Sequence, residues 1–448
     1  MLQLNRYQWT VLFAAWLGWG FDIFDGLLFN YVAPNCIPTL LGFHLPIDPT
    51  NVKLILQAKQ QTIYWTGLIT SILLIGWAVG GIVFGYICDR IGRTKTLLIT
   101  MLLYAIGTFS CAFAPNIEVL VLCRIVASLG IGGEWAAGAA MVAEVVPDKS
   151  RVEAGALLYT SAPMGLFLAT FVNDQIARVI LPGSPETSWR YVFLCGLIPA
   201  VIAFIVRIFI KEPEAWESEA AKGNPPKLGE LFSPENRRIT LSGFLMAVIA
   251  LLTWWSLNAF IPVVATELAK LGIKGQGLTD PKLIQVNIET WKTSITYAFN
   301  AGGLIGTLLT IPAAKYLGRK WMFGIYFGLS SASLILAFGS KMPAELDLWK
   351  WLYFAIGLTV FGVFGSFTYY LPELFPTRLR GTGSGFCYNA GRLITAIGPF
   401  IVGGVASRSA NPLETALQLL FFVGFIPLLG IIVMPLIIET KNRKLIAE

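Results

Sequence analysis

One short pattern occurs twice in this chain and indicates an internal duplication. The pattern is E-x-x-P-x-x-x-R, a glutamate, a proline and an arginine at fixed spacing. Its two copies are Glu144, Pro147 and Arg151 and, 229 positions later, Glu373, Pro376 and Arg380. That offset is about half of the 448 residues, and a repeat of this length predicts two related structural halves.

Twelve apolar runs, each close to the roughly 20 residues that cross a bilayer as helix, predict membrane spans. Spans 1 to 12 are expected at 9–33, 63–87, 96–114, 118–143, 154–177, 190–210, 240–265, 291–314, 321–339, 348–371, 381–405 and 415–438. Charged residues make up 13% of the chain, against roughly 25% in an average soluble domain. We therefore expect an all-α membrane protein with twelve transmembrane helices in two pseudo-symmetric six-helix bundles, and not a soluble globule.

Polar segments between the runs predict the domain boundaries and the orientation. We expect an N-terminal bundle at 1–210, a cytoplasmic linker at 211–238 and a C-terminal bundle at 239–448, with long outside loops at 34–62 and 266–290. Lys and Arg in alternate loops number about 19 on the side of both termini and about 11 opposite. We therefore expect cytoplasmic termini in a multi-pass protein of the plasma (inner) membrane.

The net charge of +7 is explained by the same basic loop residues, which orient the protein in the membrane. The basic residues lie in short loops and form no stripe, so the lipid bilayer is the expected partner and nucleic acid is not.

The loop between spans 2 and 3 reads G-x-x-x-D-R-x-G-R-x-K. Its residues are Gly85, Asp89, Arg90, Gly92, Arg93 and Lys95. The second half keeps Gly318, Arg319 and Lys320, but Lys315 stands where the aspartate is expected and Ile311 where the glycine is expected. This loop resembles the cytoplasmic signature of the major facilitator superfamily, and with the spans and the duplicated pattern the resemblance covers nearly the whole chain.

Charged residues at these loops are expected to form a cytoplasmic gate. Ion pairs there can form when the cytoplasmic face closes and separate when it opens. The expected gate residues are Gly85, Asp89, Arg90, Gly92, Arg93, Glu144 and Arg151 in the first half, and Arg319, Glu373, Arg378 and Arg380 in the second. The alternative is that these charges only snorkel and obey the orientation rule.

Carboxylates inside the spans are candidates for proton coupling. A charged side chain at mid-bilayer costs about 2.5–3.5 kcal/mol, so it must face protein or water. Asp22 and Asp25 are three residues apart in span 1, and two carboxylates this close do not both ionise readily. Glu134 in span 4 is a further candidate. The alternative is that one aspartate only pairs with a cation such as Arg124.

Two arginines inside the spans are candidates for substrate binding. Arg124 shares span 4 with Trp135, and Arg392 lies about eleven residues into span 11, where a buried guanidinium can hold a carboxylate bidentately. Arg392 could instead brace its helix against Asn or backbone carbonyls. Polar residues expected beside the substrate are Asn389, Asn258, Tyr297, Asn300 and Tyr369.

The D-I-F-D of span 1 and the G-I-G-G-E-W of span 4 narrow the resemblance. Together with the duplicated pattern, they resemble the sialate and monocarboxylate proton symporters and the related metabolite and aromatic-acid proton symporters. The resemblance implies a proton-coupled transporter of a small organic anion, a monocarboxylate or an acidic sugar, that works by alternating access. We expect it to act as a monomer without metal or cofactor.

Other functions stay open at this point. Uncoupled or proton-coupled passage of a neutral sugar, and export of cationic drugs, both fit a twelve-span chain. A transport-dead sensor would need a signalling domain, for which no tail is long enough. A membrane enzyme is not expected, because the spans hold no clustered His, Cys or Ser/His/Asp set and no phosphate-loop or dinucleotide glycine pattern.

Overall fold

The structure of the chain is a computed structural model. It describes residues 4–45, 47, 50–91, 93–132, 142, 145–147, 150–198, 201, 202, 205, 227–274, 278, 280–339, 343–376 and 379–441. Within these ranges the chain is helical and contains no strand, so the predicted all-α architecture is confirmed. Nine helical stretches of the described chain are long and apolar enough to cross a membrane. Spans 3, 4 and 6 are represented by shorter helices.

The helices of the first half follow the predicted order. They are Arg6–Leu40 in span 1, Val52–Ile91 in span 2, Arg93–Cys111 in span 3, Ile117–Gly132 in span 4, Arg151–Tyr159 and Ser161–Asp174 in span 5, and Pro185–Cys195 in span 6. A π-helical turn, Gln175–Ile180, ends span 5.

The second half repeats this arrangement. Its helices are Arg237–Asn258 and Ile261–Lys274 in span 7, Pro281–Tyr316 in span 8, Arg319–Phe338 in span 9, Leu346–Ile356 and Phe367–Leu374 in span 10, Arg380–Thr395 and Ile397–Ala406 in span 11, and Pro412–Val423 and Ile426–Ile432 in span 12.

Several helices are longer than predicted, and the long loops expected at 34–62 and 266–290 are wrong for most of their length. Span 1 continues to Leu40, span 2 begins at Val52, span 7 continues to Lys274 and span 8 begins at Pro281. Hydropathy ends a span where polar residues begin. Here polar residues such as Glu267 and Glu289 are buried in contacts between the halves, so the helices continue through them.

Span 7 is interrupted in the middle, and proline explains the position of the break. Pro262 has no N–H to donate to the carbonyl four residues earlier, which is that of Asn258. The first helix ends at Asn258 and the second begins at Ile261. Asn258, the last residue before the break, is buried.

Span 10 is also irregular and packs closely on span 8. It changes from α-helix to a π-helical turn at Gly357–Phe361 and then to a 3₁₀ turn at Gly362–Ser366. Glycines allow the two backbones to touch: a Cβ added at Gly306 would lie 2.0 Å from the carbonyl oxygen of Leu358. Irregular turns of this kind are frequent at functional sites.

The two halves meet through matching helices. Span 1 packs against span 7, span 2 against span 11, and span 5 against spans 8 and 10. Spans 2 and 11 approach closely at Gly67 and Gly403. This seam between the halves contains the polar residues described below.

The close contact of spans 8 and 10 predicts the effect of a larger residue there. Gly306→Val should lower the free energy of unfolding by about 1–3 kcal/mol, because the added carbons overlap the backbone of span 10. Thermal unfolding in detergent measures this. Gly404→Val is the control, because nothing lies within 4 Å of a Cβ at Gly404. Equal unfolding temperatures for the two variants would contradict the packing described here.

Candidate functional site

Arg392 is held at the seam between the halves by aromatic rings. Its guanidinium carbon lies 4.2 Å from the ring centre of Trp77, in span 2 of the other half, and 4.8 Å from that of Tyr388. Nη1 donates to Asn389 Oδ1 at 3.0 Å, while the buried Nε has no hydrogen-bond partner. The residue is 3% exposed and makes no ion pair with a described carboxylate. A buried guanidinium with no carboxylate partner is suited to bind an anion.

Aromatic rings continue from Arg392 across the seam. Trp77 meets Trp255 edge to face with ring centres 5.8 Å apart, and Trp255 meets Trp254 at 4.6 Å. Trp254 contacts Phe361 at 5.5 Å, and Phe361 stacks on Phe299 at 5.7 Å. These five residues, the aromatic column, provide an apolar surface beside the one buried arginine of span 11.

A small cavity lies at the far end of the aromatic column. Its volume is about 10 Å³, roughly the space of one water molecule, and residues of both halves line it: Asn30, Tyr31, Asn258, Ile261, Pro262, Thr296 and Phe299. The predicted substrate residue Asn258 is therefore on its wall.

The acidic residues of span 1 are buried beside Arg124. Thr108 donates to Asp25 Oδ2 at 2.7 Å, while Asp25 Oδ1 has no hydrogen-bond partner. Arg124 is fully buried, yet its Nη1 and Nη2 donate to the backbone carbonyls of Asp25 and Gly26, at 3.3 and 2.5 Å. The guanidinium therefore holds the backbone of span 1 and makes no ion pair with a described carboxylate. Asp22 is also buried. Glu134 and Trp135 lie outside the described residues.

The other predicted substrate residues are placed at different depths. Asn300 is buried and its Nδ2 donates to Thr170 Oγ1 of span 5 at 3.2 Å. Tyr297 is half-buried and stacks on Phe167 with ring centres 5.8 Å apart. Tyr369 lies nearer the terminal side, where its ring centre is 5.8 Å from the guanidinium carbon of Arg319. The structure therefore gathers Arg392, Asn389 and Asn258 near the aromatic column and separates Tyr369 from them.

On the terminal side, the described gate residues of the second half lie close together. Arg319 donates to Glu373 bidentately, from Nε at 3.1 Å and Nη2 at 2.8 Å, and Thr440 Oγ1 donates to the same carboxylate at 2.6 Å. Arg380 Nε donates to the Pro372 carbonyl at 3.1 Å. The pattern glutamate thus pairs with the arginine of the loop that precedes span 9.

Glu439 caps the start of the span 9 helix. Its carboxylate accepts from the backbone N–H groups of Arg319 and Lys320 at 3.0 Å and of Lys441 at 2.8 Å. Burial acts to raise the pKa of Glu439, but these donors outweigh it and hold the pKa below its usual value. The charge is favourable at a helix N-terminus.

The residues expected to form the gate of the first half lie outside the described part of the structure. Gly92, Glu144 and Arg378 lie outside the described residues, as do the surroundings of Gly85 and the side chains of Asp89, Arg90, Arg93 and Arg151. One pair that sequence reasoning missed joins the halves on this side: Lys315 of span 8 forms an ion pair with Glu153 of span 5. Lys315 is the residue that stands where the aspartate of the loop signature is expected.

On the side opposite the termini, a buried carboxylate joins the two halves. Glu289 of span 8 is fully buried and pairs with Lys292 Nζ at 2.5 Å. From the other half, Asn35 Nδ2 donates to it at 3.0 Å and Asn173 Nδ2 at 3.3 Å. Lys292 Nζ also donates to the Tyr31 carbonyl at 3.2 Å. We call these four side chains the Glu289 network.

Two further ionic groups lie beside this network. Lys59 of span 2 reaches Glu267 of span 7 at 2.6 Å, across the halves. Asp174 accepts two hydrogen bonds from Arg178 and one, at 3.0 Å, from Thr293 of span 8. The opposite side is therefore closed in this structure by contacts from spans 1, 2 and 5 to spans 7 and 8.

Sequence reasoning missed the Glu289 network for an identifiable reason. Glu289 and Lys292 are three residues apart at the edge of a predicted span, which is the i,i+3 spacing of a helical ion pair. Placing the helix start at 291 left Glu289 in a loop. Extending the helix backward to the preceding Asp280–Pro281 cap signal would have placed the pair inside it.

No group of three or more metal-ligating side chains occurs in the described part of the chain.

Comparison with known proteins gives consistent results. A family model described as Major Facilitator Superfamily matches residues 28–399. A "Putative metabolite transport protein" of Haemophilus influenzae is 27% identical over 446 residues, which is 99% of either chain. "Sialic acid transporter NanX" of Escherichia coli is 27% identical, covering 87% of this chain and 85% of its own.

A solved structure of the xylose transporter XylE from E. coli, in a partially occluded inward-open conformation, has a similar fold. Its TM-score is 0.71 at 18% sequence identity, and the match covers 98% of this chain and all of the other.

The Glu289 network predicts an effect on stability. Lys292→Met should lower the free energy of unfolding by about 3–5 kcal/mol, because it leaves the buried Glu289 carboxylate without its cation. Adding Glu289→Gln should restore much of the loss. Thermal unfolding of the single and double variants measures the coupling. Lys350→Met is the control, since its partner Asp347 is 85% exposed and the pair is worth about 0–1 kcal/mol.

Proposed function

This chain belongs to the Major Facilitator Superfamily, and from that premise we propose that it is a proton-coupled secondary transporter of a small organic anion. It is a multi-pass membrane transporter and not an enzyme. The proposal concerns its coupling ion and its substrate. The observation that carries the proposal is the buried Arg392 guanidinium, held between aromatic faces without a carboxylate partner among the described residues.

Arg392 is proposed to bind the substrate carboxylate. Its position at the seam between the halves agrees with the central site expected for alternating access. An anion there would supply the counter-charge that the described residues do not provide. The sialic acid transporter among the relatives is named for an acidic sugar, which supports the organic-anion class.

Asp25 is proposed to carry the proton, with Asp22 and Glu134 as further carriers. Asp25 has one carboxylate oxygen without a partner and lies beside the buried Arg124 guanidinium, which, among the described residues, donates only to carbonyls. Protonating Asp25 would remove one negative charge from the protein interior, which favours binding of an anion at Arg392, so protonation and anion binding would be linked reciprocally.

Alternation is proposed to use the polar contacts of spans 5 and 8. Opening the terminal side would separate Lys315 from Glu153, while opening the opposite side would separate Asn173 from Glu289. Each end of the pair formed by spans 5 and 8 would then carry one gate. The hydrogen bond from Asn300 to Thr170 lies between the two gates.

Several earlier expectations remain part of this proposal. They are a bundle at 1–210, a linker at 211–238, a second bundle at 239–448, cytoplasmic termini, an inner-membrane location and action as a monomer.

Removing the anion-binding group should abolish high-affinity uptake. Arg392→Gln is expected to lower kcat/KM for a carboxylate substrate by roughly 10- to 150-fold, since a hydrogen bond to a charged group is worth about 1.5–3 kcal/mol. Uptake of radiolabelled carboxylates, N-acetylneuraminate and benzoate among them, into proteoliposomes measures it. Arg408→Gln, an exposed arginine at the end of the same span, is the control. Unchanged uptake by the Arg392 variant would refute the role.

Replacing the proposed proton carrier should separate binding from coupling. Asp25→Asn keeps an acceptor for Thr108 but cannot ionise, so uphill accumulation driven by an imposed proton gradient should be lost while exchange at equal pH continues. The exposed Asp347→Asn is the control. Accumulation at the wild-type level would exclude Asp25 as the carrier. Uptake of a neutral sugar that ignores pH would favour the sugar alternative.

A further inference from the structure

Trp77 contacts Arg392 from the other half of the protein. It lies in span 2 and is 1% exposed, and its ring centre is 4.2 Å from the guanidinium carbon of Arg392 in span 11. A guanidinium is attracted to the face of an indole ring, and Trp is the best of the aromatic residues in this respect. The arginine proposed to bind the substrate therefore rests on a side chain of the first half.

Both of these side chains carry a buried N–H group that has no partner among the described residues. The groups are the indole Nε1 of Trp77 and the Nε of Arg392. Asn389 accepts from Nη1 of the arginine and leaves Nε unpaired. Buried N–H groups are nearly always hydrogen-bonded, so two unpaired donors on touching side chains indicate one acceptor that the described chain does not supply.

The Trp77 side chain is held in place by contacts with three other spans. Its six-membered ring lies 3.6 Å from a Cβ placed on Gly26 of span 1. The ring meets that of Trp255 in span 7 edge to face, with centres 5.8 Å apart. Its backbone packs on span 4, where a Cβ at Gly132 would lie 2.0 Å from the Trp77 carbonyl oxygen. A donor fixed in this way loses little freedom when it binds a ligand.

The charge at this position favours an anion as the shared acceptor. Arg392 supplies one positive charge and makes no ion pair with a described carboxylate, while the indole adds a donor without adding charge. Each N–H lies in the plane of its own group, so the hydrogens of a ring and a guanidinium in contact are at the edge of the pair. The two oxygens of one carboxylate can accept from both, and hydrogen bonds to a charged acceptor are about twice as strong as neutral ones.

We propose that the Trp77 indole N–H is a second donor to the substrate carboxylate. One carboxylate oxygen is bound by Arg392 of the second half and the other by Trp77 of the first. The inference rests on the proposed function, in which Arg392 binds that carboxylate. The bound anion then joins the two halves beside the aromatic column, and Trp77 is a substrate-binding residue as well as a support for the arginine.

Removing the N–H while keeping the ring tests this role. Replacement of Trp77 by 3-benzothienylalanine keeps the size and the face of the side chain but has sulfur in place of the N–H, and Trp77→Phe removes the N–H with a natural residue. Calorimetry on the purified full chain in detergent measures Kd for acetate, lactate, benzoate and N-acetylneuraminate. Both changes should weaken the tightest-binding acid by about tenfold or more, because a hydrogen bond to a charged group is lost.

A second measurement observes the donor directly. The indole N–H resonance of Trp77 in the NMR spectrum is assigned by its absence from Trp77→Phe. Adding the tightest-binding acid to the wild-type protein should move this resonance downfield, because the proton enters a hydrogen bond to a carboxylate. A role limited to supporting Arg392 would leave the proton without an acceptor.

Trp189→Phe is the matched control. Trp189 is also 1% exposed, its Nε1 is also unpaired among the described residues, and the guanidinium carbon of Arg190 also lies 4.2 Å from its ring. Arg190, however, is half-buried and donates to the Ala112 carbonyl at 2.7 Å, and span 6 packs on spans 1, 3 and 5 of its own half. This variant should change Kd by less than about twofold.

The outcomes separate this inference from the proposed function. Thermal unfolding identifies a variant that does not fold, in which case the benzothienylalanine protein, which keeps the shape of the side chain, carries the test. Wild-type affinity in that protein, an equal loss in Trp189→Phe, or an unmoved indole resonance would overturn the role of Trp77. Carboxylate binding would still stand if Arg392→Gln lost it. If no acid binds the wild-type protein, or if Arg392→Gln binds as the wild type does, the proposed function fails and the role of Trp77 with it.

Discussion

The structure depends on one electrostatic constraint: an ionisable group removed from water must find its partner inside the protein. By this criterion the buried ionisable residues of the described chain fall into two classes. Glu289, Glu373 and Asp174 are each paired with a cation and with further hydrogen-bond donors. Arg392 and Asp25 are buried with polar atoms left unpaired. Paired groups hold the protein together, whereas incompletely paired groups are those with capacity for a ligand or a proton.

The paired groups concentrate where the two halves touch. Contacts within one half, such as Arg319 to Glu373, can persist while the halves move. Contacts across the seam, such as Asn35 to Glu289 and Lys315 to Glu153, must break on one side or the other. Spans 5 and 8 carry such contacts near both of their ends. Span 8 also packs closely on span 10, and this packing connects the contacts between the halves with the aromatic column.

The fold could be predicted from the sequence because its signals are strong and local. A twenty-residue apolar run has few alternatives to a membrane helix, and a duplicated pattern implies two halves whatever their details. Helix ends were predicted less well, because hydropathy treats Glu267 and Glu289 as loop residues when partners from the other half bury them. Likewise, the candidate site was found only where a residue is unusual by itself. Arg392 and Asp25 are charges in apolar runs, whereas Trp77 is an ordinary residue whose role depends on what folds against it. Lys315 was visible in the sequence as a departure from the loop signature, which has an aspartate at that position. Its ion-pair partner Glu153 could be identified only from the structure.

The Glu439 cap has a mechanical consequence. The segment after span 12 holds the start of span 9 through Glu439, and its neighbour Thr440 holds the glutamate of span 10. Three helices of the second half are thereby tied at one end by the last described residues. Because these contacts hold the three helices together, the second half is expected to turn as a rigid body. The irregular turns of spans 7 and 10 would then change conformation in each transport cycle.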